Sequence, residues 1–123
     1  MAKKILIVDD DLYIRELYEE VLKDAGFEVS TAADGQEGIE KVKKGGYDLI
    51  LLDVMMPKVD GLGVLKEIQG MNPKPNNGPV ILLTNLSHDP VIQQAMDTGA
   101  SSFMIKADLT PDQLIEKVNS YMK

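Results

Sequence analysis

An α/β fold, with a parallel five-stranded sheet held between two layers of helix, is predicted by three features of this sequence. Short apolar runs alternate with segments of helical period, which is the pattern of repeated βα units. Four of the runs, residues 5–8, 49–52, 80–83 and 103–105, each stop at a polar residue: Asp9 and Asp10, Asp53, Thr84 and Lys106. With 123 residues the chain has the size of one domain with a real core and no room for a second.

Each element has its own local reason. After the first strand, Asp11 is suited to cap a helix whose apolar stripe (Ile14, Leu17, Tyr18, Val21, Leu22, Ala25) repeats at helical spacing up to the capping glycine Gly26. Residues 28–32 alternate polar and apolar, as an edge strand does. Asp34 caps a second helix ending near Gly45 and Gly46, and Asp60 a third reaching about Gln69. Gly38 and Gly63 lower the helix propensity of these two. Residues 70–79, rich in proline, asparagine and glycine, read as an exposed loop. Asp89 and Pro90 start a fourth helix running to about Thr98. Thr110-Pro111-Asp112-Gln113 is a capping box with proline at the first helical position, ahead of the stripe Leu114, Ile115, Val118 and Tyr121. The seven methionines are expected to fill the core.

The unbroken apolar runs at 5–8, 49–52 and 80–83 imply burial on both faces and so central positions, which leaves the alternating second strand outside. Right-handed crossovers with helices on both faces then give strand order 2-1-3-4-5, a doubly wound three-layer sandwich of the flavodoxin-like type. In such sheets ligands bind at the carboxyl ends of the strands, where the polar residues of this chain converge.

Composition narrows the function classes. The chain has no cysteine, which excludes disulfides and thiolate metal sites and suits a reducing compartment, so the cytoplasm is the expected location. No apolar stretch approaches the roughly 18–20 residues that span a bilayer, and Met1-Ala2-Lys3-Lys4 leads straight into a strand. A formal charge of -7 with scattered lysines argues against direct nucleic-acid binding.

The rim residues describe a phosphoryl site. Neighbouring strands lie about 4.8 Å apart, so Asp9 or Asp10 should face Asp53 across a few ångströms. Like charges that close need a proton or a cation, and oxygen ligands without sulfur or imidazole favour a hard ion such as Mg2+, which takes one or two carboxylates and leaves positions for phosphate oxygens. Lys106 can pair with Asp53 or with a phosphoryl oxygen, and Thr84 offers a hydroxyl to another. Phosphoryl transfer needs mainly alignment and charge neutralisation, and Asp53, alone on the central strand, is the expected nucleophile.

Taken in order, the pieces Ile5-Leu6-Ile7-Val8-Asp9-Asp10, Asp53 with Met56-Pro57 and Asp60-Gly61, Leu83-Thr84, and Phe103 three residues before Lys106 resemble response-regulator receiver domains of two-component signalling, of the chemotaxis-regulator type. The resemblance covers nearly the whole chain, so residues 1–123 are expected to be one receiver domain without an output domain. It implies that Asp53 accepts phosphate from a phosphohistidine on a sensor kinase or a histidine phosphotransfer protein. It further implies that Asp9, Asp10 and Asp53 with the Met55 carbonyl hold Mg2+, and that Thr84 and Lys106 bind the phosphoryl group. Phe103 is then the aromatic switch that rotates inward when Thr84 moves, altering the surface of helix four, strand five and helix five toward a downstream protein target. Phosphorylation-dependent homodimerisation is left open. Such a domain is a phosphoacceptor that assists its own phosphotransfer and dephosphorylation, not an enzyme acting on others.

The chain departs from the family pattern at two places. Ala107 stands where a proline joined by a cis bond usually follows the rim lysine, and a cis bond before a non-proline residue costs about 2.5–4 kcal/mol. Asn85 replaces a small residue after Thr84. Met55 and Leu86 occupy positions that in the family flank the acyl phosphate, and slow loss of phosphate is expected because neither apolar side chain can orient water. The rival reading is a receiver-like docking module that works without phosphorylation. An aspartyl-phosphate phosphohydrolase is disfavoured because Met55 stands where a second aspartate is needed, and flavin binding because Asp9-Asp10 stands where a phosphate loop is needed. His88, the single histidine, reads as a surface residue before the fourth helix.

Overall fold

Unbroken aliphatic runs and capped helical stripes produce the expected alternation of strands and helices. The computed structural model describes residues 2–85, 90–106 and 109–122. In chain order the elements are β1 (Lys4–Val8), α1 (Leu12–Asp24), β2 (Glu28–Ala32), α2 (Gly35–Lys44), β3 (Leu49–Asp53), α3 (Gly61–Gln69), β4 (Val80–Thr84), α4 (Pro90–Asp97), β5 (Ser102–Ile105) and α5 (Pro111–Tyr121). The strands form one parallel sheet of order β2-β1-β3-β4-β5. Every residue of β3 and β4 is buried, whereas β2 and β5 at the edges are partly exposed.

Alternation along the strands divides the core into two layers. Leu6, Val8, Ile50, Leu52 and Leu82 pack with Val42 of α2, Val64 and Leu65 of α3 and Ile92 and Ala95 of α4. Ile5, Ile7, Leu49, Leu51, Ile81 and Leu83 pack with Tyr18 and Leu22 of α1 and Leu114 and Val118 of α5. Each fully buried aliphatic side chain contributes about 1.5–3 kcal/mol.

The caps follow the sequence reading. Asp11 accepts from the Tyr13 and Ile14 N–H groups at 2.9 and 3.3 Å, Asp34 from Glu37 at 2.8 Å and Asp60 from Gly63 at 2.8 Å. Thr110 and Gln113 form the reciprocal box, at 3.2 and 3.0 Å. After α1, Gly26 at φ +98° lets its own N–H reach the Lys23 carbonyl and the Phe27 N–H the Leu22 carbonyl, which ends the helix with its last carbonyls satisfied.

Gly38 is a requirement of packing rather than a weakness of α2. A Cβ there would lie 2.8 Å from Val8 Cγ1, so the missing side chain is what seats α2 against β1. Gly61 acts likewise at the start of α3: a Cβ would stand 2.5 Å from the Asp53 carbonyl oxygen, and its N–H donates to the Val54 carbonyl at 3.0 Å. The chain leaving Asp53 is thereby folded back tightly under the site.

Two expectations need correction. Residues 70–79 are not simply an exposed loop: Gly46 N–H donates to the Asn76 carbonyl, Tyr47 N–H to the Asn77 side chain and Gly78 N–H to the Tyr47 carbonyl. Hydrogen bonds to the distant Gly46 and Tyr47 backbone tie down its second half, which a local reading of turn residues does not register. Nor are all methionines core filler. Met56 and Met104 are buried, but Met55, between the buried Val54 and Met56 beyond the end of β3, is 62% exposed. Leu86, His88, Asp89 and Ala107, and with Ala107 the peptide bond after Lys106, lie outside the described residues.

Candidate functional site

The parallel register decides which side chains meet. Val8 is opposite Leu52, so Asp9, the next residue, comes level with Asp53 at the end of β3. Asp53 is opposite Leu83, and Thr84 is one residue further along β4, opposite Ile105. Lys106 then follows directly on β5. All of these residues sit at the carboxyl edge because each strand ends where its apolar run does.

Asp9, Asp53 and Thr84 are the buried polar residues among those described, while Asp10 is exposed. Lys106 reaches across the end of β4 into the acidic cluster. Its Nζ lies 2.6 Å from Asp9 Oδ2 and 3.2 Å from Asp53 Oδ1, with the lysine side chain only 10% exposed. The pairing with Asp53 was expected; the shorter contact to Asp9 was not. The Asp11 N–H donates to Asp9 Oδ1 at 2.9 Å and the Met55 N–H to Asp53 Oδ1 at 3.3 Å.

Sequence reasoning missed Arg15. Its Nη1 donates to the Asp9 carbonyl oxygen at 2.7 Å, so the first turns of α1 brace the loop that carries the acidic pair. A six-residue separation leaves no helical or turn signature, and the contact arises only because the chain bends between Val8 and Leu12.

Burial and the neighbouring Asp9 carboxylate push the Asp53 pKa up from 3.8 to about 7, against the pull of Lys106 and the Met55 N–H. Burial works against the Lys106 charge, but hydrogen bonding and Coulombic attraction from Asp9 and Asp53 more than offset it and leave its pKa raised. The Tyr18 phenol is pushed up to about 12 by burial and by Asp9, so it is neutral at physiological pH. One ammonium thus stands against a buried pair of carboxylates, one of which sits near the middle of its titration at neutral pH.

The donor set suits a hard cation. Asp9, Asp10 and Asp53 each offer a carboxylate oxygen, all within 4.8 Å of one another, and no sulfur or imidazole is among them. Asp9 Oδ2 is buried, and its close neighbour is the Lys106 ammonium. Exposed Asp10 leaves the cluster open to solvent on one side. The Met55 N–H reaches Asp53 Oδ1, while its side chain is exposed.

Phe103 is half-buried on the edge strand, opposite Leu82, and packs against the α2–α3–α4 layer. With Ile105, Leu109 and the α5 residues Gln113, Glu116 and Lys117 it also lines a groove of about 580 Å³. The residue therefore lies between core and surface.

Known proteins share both the sequence pattern and the fold. Residues 5–119 match the model of the response regulator receiver domain. The chain is 31% identical to the chemotaxis protein CheY of Thermotoga maritima over the full length of both chains. It is 37% identical to a probable transcriptional regulator, ycf27, of Cyanophora paradoxa, where it spans 98% of itself and 48% of that protein. Among solved structures, chemotaxis protein CheY4 of Vibrio cholerae superimposes with a TM-score of 0.88 at 32% identity, covering 98% of this chain and 99% of that one. On a family match that runs nearly end to end, this chain belongs to the response regulator receiver domains of two-component signalling and is of the CheY-like kind.

Proposed function

We propose that residues 1–123 act as one receiver domain in which Asp53 accepts a phosphoryl group from a phosphohistidine on a sensor kinase or a histidine phosphotransfer protein. The observation that carries this reading is the position of the Lys106 ammonium, 2.6 Å from Asp9 and 3.2 Å from Asp53 at a water-poor rim. A cation so placed neutralises charge where phosphoryl oxygens gather, which is most of what phosphoryl transfer requires.

In the transfer an Asp53 carboxylate oxygen attacks phosphorus while the phosphorus–nitrogen bond to the donor imidazole breaks, and the imidazole leaves with the bonding pair. Lys106 turns from its carboxylate partners to a phosphoryl oxygen, and the Thr84 hydroxyl donates to another. Asp9, Asp10 and Asp53 with the Met55 carbonyl would hold magnesium, whose charge when bound supplies further neutralisation of the phosphoryl oxygens. Because burial and Asp9 favour the protonated carboxyl of Asp53, cation binding also favours the ionised form that attacks.

Movement of Thr84 toward the new phosphoryl group makes room at β5 for Phe103 to turn inward and reshapes the α4–β5–α5 surface for a downstream protein target. Acyl phosphate thus biases a two-state equilibrium, and the chain works as a cytoplasmic regulatory domain rather than as an enzyme acting on other molecules. It uses no direct nucleic-acid contact, in keeping with its charge of -7.

The test is magnesium-dependent labelling by a small phosphodonor. Wild type should take up one phosphoryl group and Asp53→Asn none, with resonance shifts around Phe103 in the labelled form only. Unchanged labelling of the variant overturns the assignment of Asp53. No labelling of wild type supports the rival docking module, and comparing the sedimentation of the two forms decides whether phosphorylation brings two copies together.

A further inference from the structure

At the amino ends of the strands, opposite the acidic rim, Asn77 and Gly78 are clamped against the segment that leads into β3. Asn77 Oδ1 accepts from the Tyr47 N–H at 3.1 Å, and its Nδ2 donates to the Val42 carbonyl, in the last turn of α2, at 3.0 Å. The Gly78 N–H donates to the Tyr47 carbonyl at 2.7 Å. A side chain at 78 has no room, since a Cβ would lie 2.0 Å from the Asp48 carbonyl oxygen. Packing therefore demands glycine at 78, and the donor-plus-acceptor clamp demands an amide at 77.

Together these two demands create an asparagine followed by glycine, the pairing in which main-chain nitrogen most readily attacks a side-chain amide. Glycine neither shields its nitrogen nor restricts the backbone torsions that bring nitrogen and amide carbon together. We propose that Asn77–Gly78 is a latent deamidation site that the folded chain keeps unreactive, so that conversion of Asn77 proceeds through opening of this end of the sheet.

The Gly78 nitrogen attacks Asn77 Cγ, the Cγ–Nδ2 bond breaks, and ammonia departs carrying the proton lost by the Gly78 nitrogen. A five-membered imide remains, and water opens either of its carbonyl–nitrogen bonds to give aspartate or isoaspartate at position 77. The fold opposes the first step at both reacting groups. The attacking nitrogen is engaged with the Tyr47 carbonyl, and the amide is held at both ends, so Cγ cannot swing over that nitrogen. Orientation and not exclusion of water provides the protection, because both residues are only half-buried.

Neither product fits the clamp. A carboxylate cannot donate to the Val42 carbonyl, and it places negative charge at the carbonyl end of α2. Isoaspartate adds a methylene to the main chain two residues before Pro79, whose carbonyl accepts from the Ile50 N–H at 3.0 Å. The reaction is a ratchet: a molecule that opens and reacts closes again less stably, at a place remote from Asp53.

The natural chain serves for the test. Samples are aged folded and in concentrated urea at one mildly alkaline pH, digested, and mapped by mass spectrometry for conversion at position 77, with fragmentation that separates aspartate from isoaspartate. Conversion should be on the order of 100-fold slower in the folded chain, because only the opened fraction reacts. Rates within about 3-fold of each other overturn the proposal, since local structure would then confer no protection. As a second readout, Asn77→Asp should have a lower urea midpoint than wild type, and an unchanged midpoint overturns the ratchet.

Discussion

Replacing Asp53 with asparagine is expected to stabilise the metal-free protein, by an amount that grows with pH. Asparagine keeps the volume of a neutral carboxyl and removes the charge. In the folded chain burial and Asp9 hold the Asp53 pKa at about 7, against 3.8 for the unperturbed group. Between those values the folded state keeps a proton that the unfolded state has released, so wild-type stability falls as pH rises from about 4 and levels off once pH exceeds about 7. At 1.36 kcal/mol per unit, the gap of about three units is worth on the order of 4 kcal/mol at about pH 8. At about pH 5, little more than one unit above the unfolded value, the same reasoning leaves on the order of 2 kcal/mol. The attraction of Lys106 is already contained in that gap, because it acts on the same ionisation. Urea unfolding in the presence of a chelator, followed by far-UV circular dichroism at both pH values, measures the difference between variant and wild type. Magnesium should act in the opposite sense, since an ion at about 100 times its Kd adds about 2.7 kcal/mol to the state that binds it, and wild type binds it better. A variant no more stable than wild type at the higher pH, or equally stabilised at both, refutes the reasoning.

Three further outcomes follow from the geometry. Lys106→Ala should lower metal-free stability near pH 8 by about 3 kcal/mol, because it strands two buried carboxylates, and less near pH 5, where Asp53 takes up a proton; a loss below about 1 kcal/mol in urea unfolding at the higher pH counts against the pairing. Gly38→Ala, which adds helix propensity, should nevertheless destabilise by about 1–3 kcal/mol because its Cβ meets Val8 Cγ1 at 2.8 Å, and a raised thermal midpoint contradicts this. Met55→Asn should leave stability within about 0.5 kcal/mol, since the side chain is 62% exposed, while speeding loss of phosphate from Asp53 several-fold; a dephosphorylation rate that slows or barely changes removes the apolar flank from the account.

The fold was legible because its determinants are local. Unbroken aliphatic runs mark β1, β3 and β4 as central, and alternation marks β2 as an edge. Side-chain acceptors such as Asp11, Asp34, Asp60 and Thr110 announce helix starts within three residues of themselves. Asp9, Asp53, Thr84 and Lys106 were predicted to share one rim, because parallel strands that end on polar residues align those ends. Gly38 was misjudged for a related reason: helix propensity is a property of the segment, whereas the approach of α2 to Val8 is a property of the sheet beneath it.

What remained hidden depends on distances between segments far apart in the chain. The sequence by itself determined the strand order, the residues at the rim and the chemical character of the site, all of which follow from short-range periodicity and residue type. Only the tertiary structure decided that Lys106 leans closer to Asp9 than to Asp53, that Arg15 braces the Asp9 carbonyl, and that the Met55 side chain is exposed. It likewise decided that Asn77 is clamped between Tyr47 and Val42. The physical reason is that charge interaction and hydrogen bonding in a poorly solvated interior change steeply over tenths of an ångström, and such separations are set by how the layers pack.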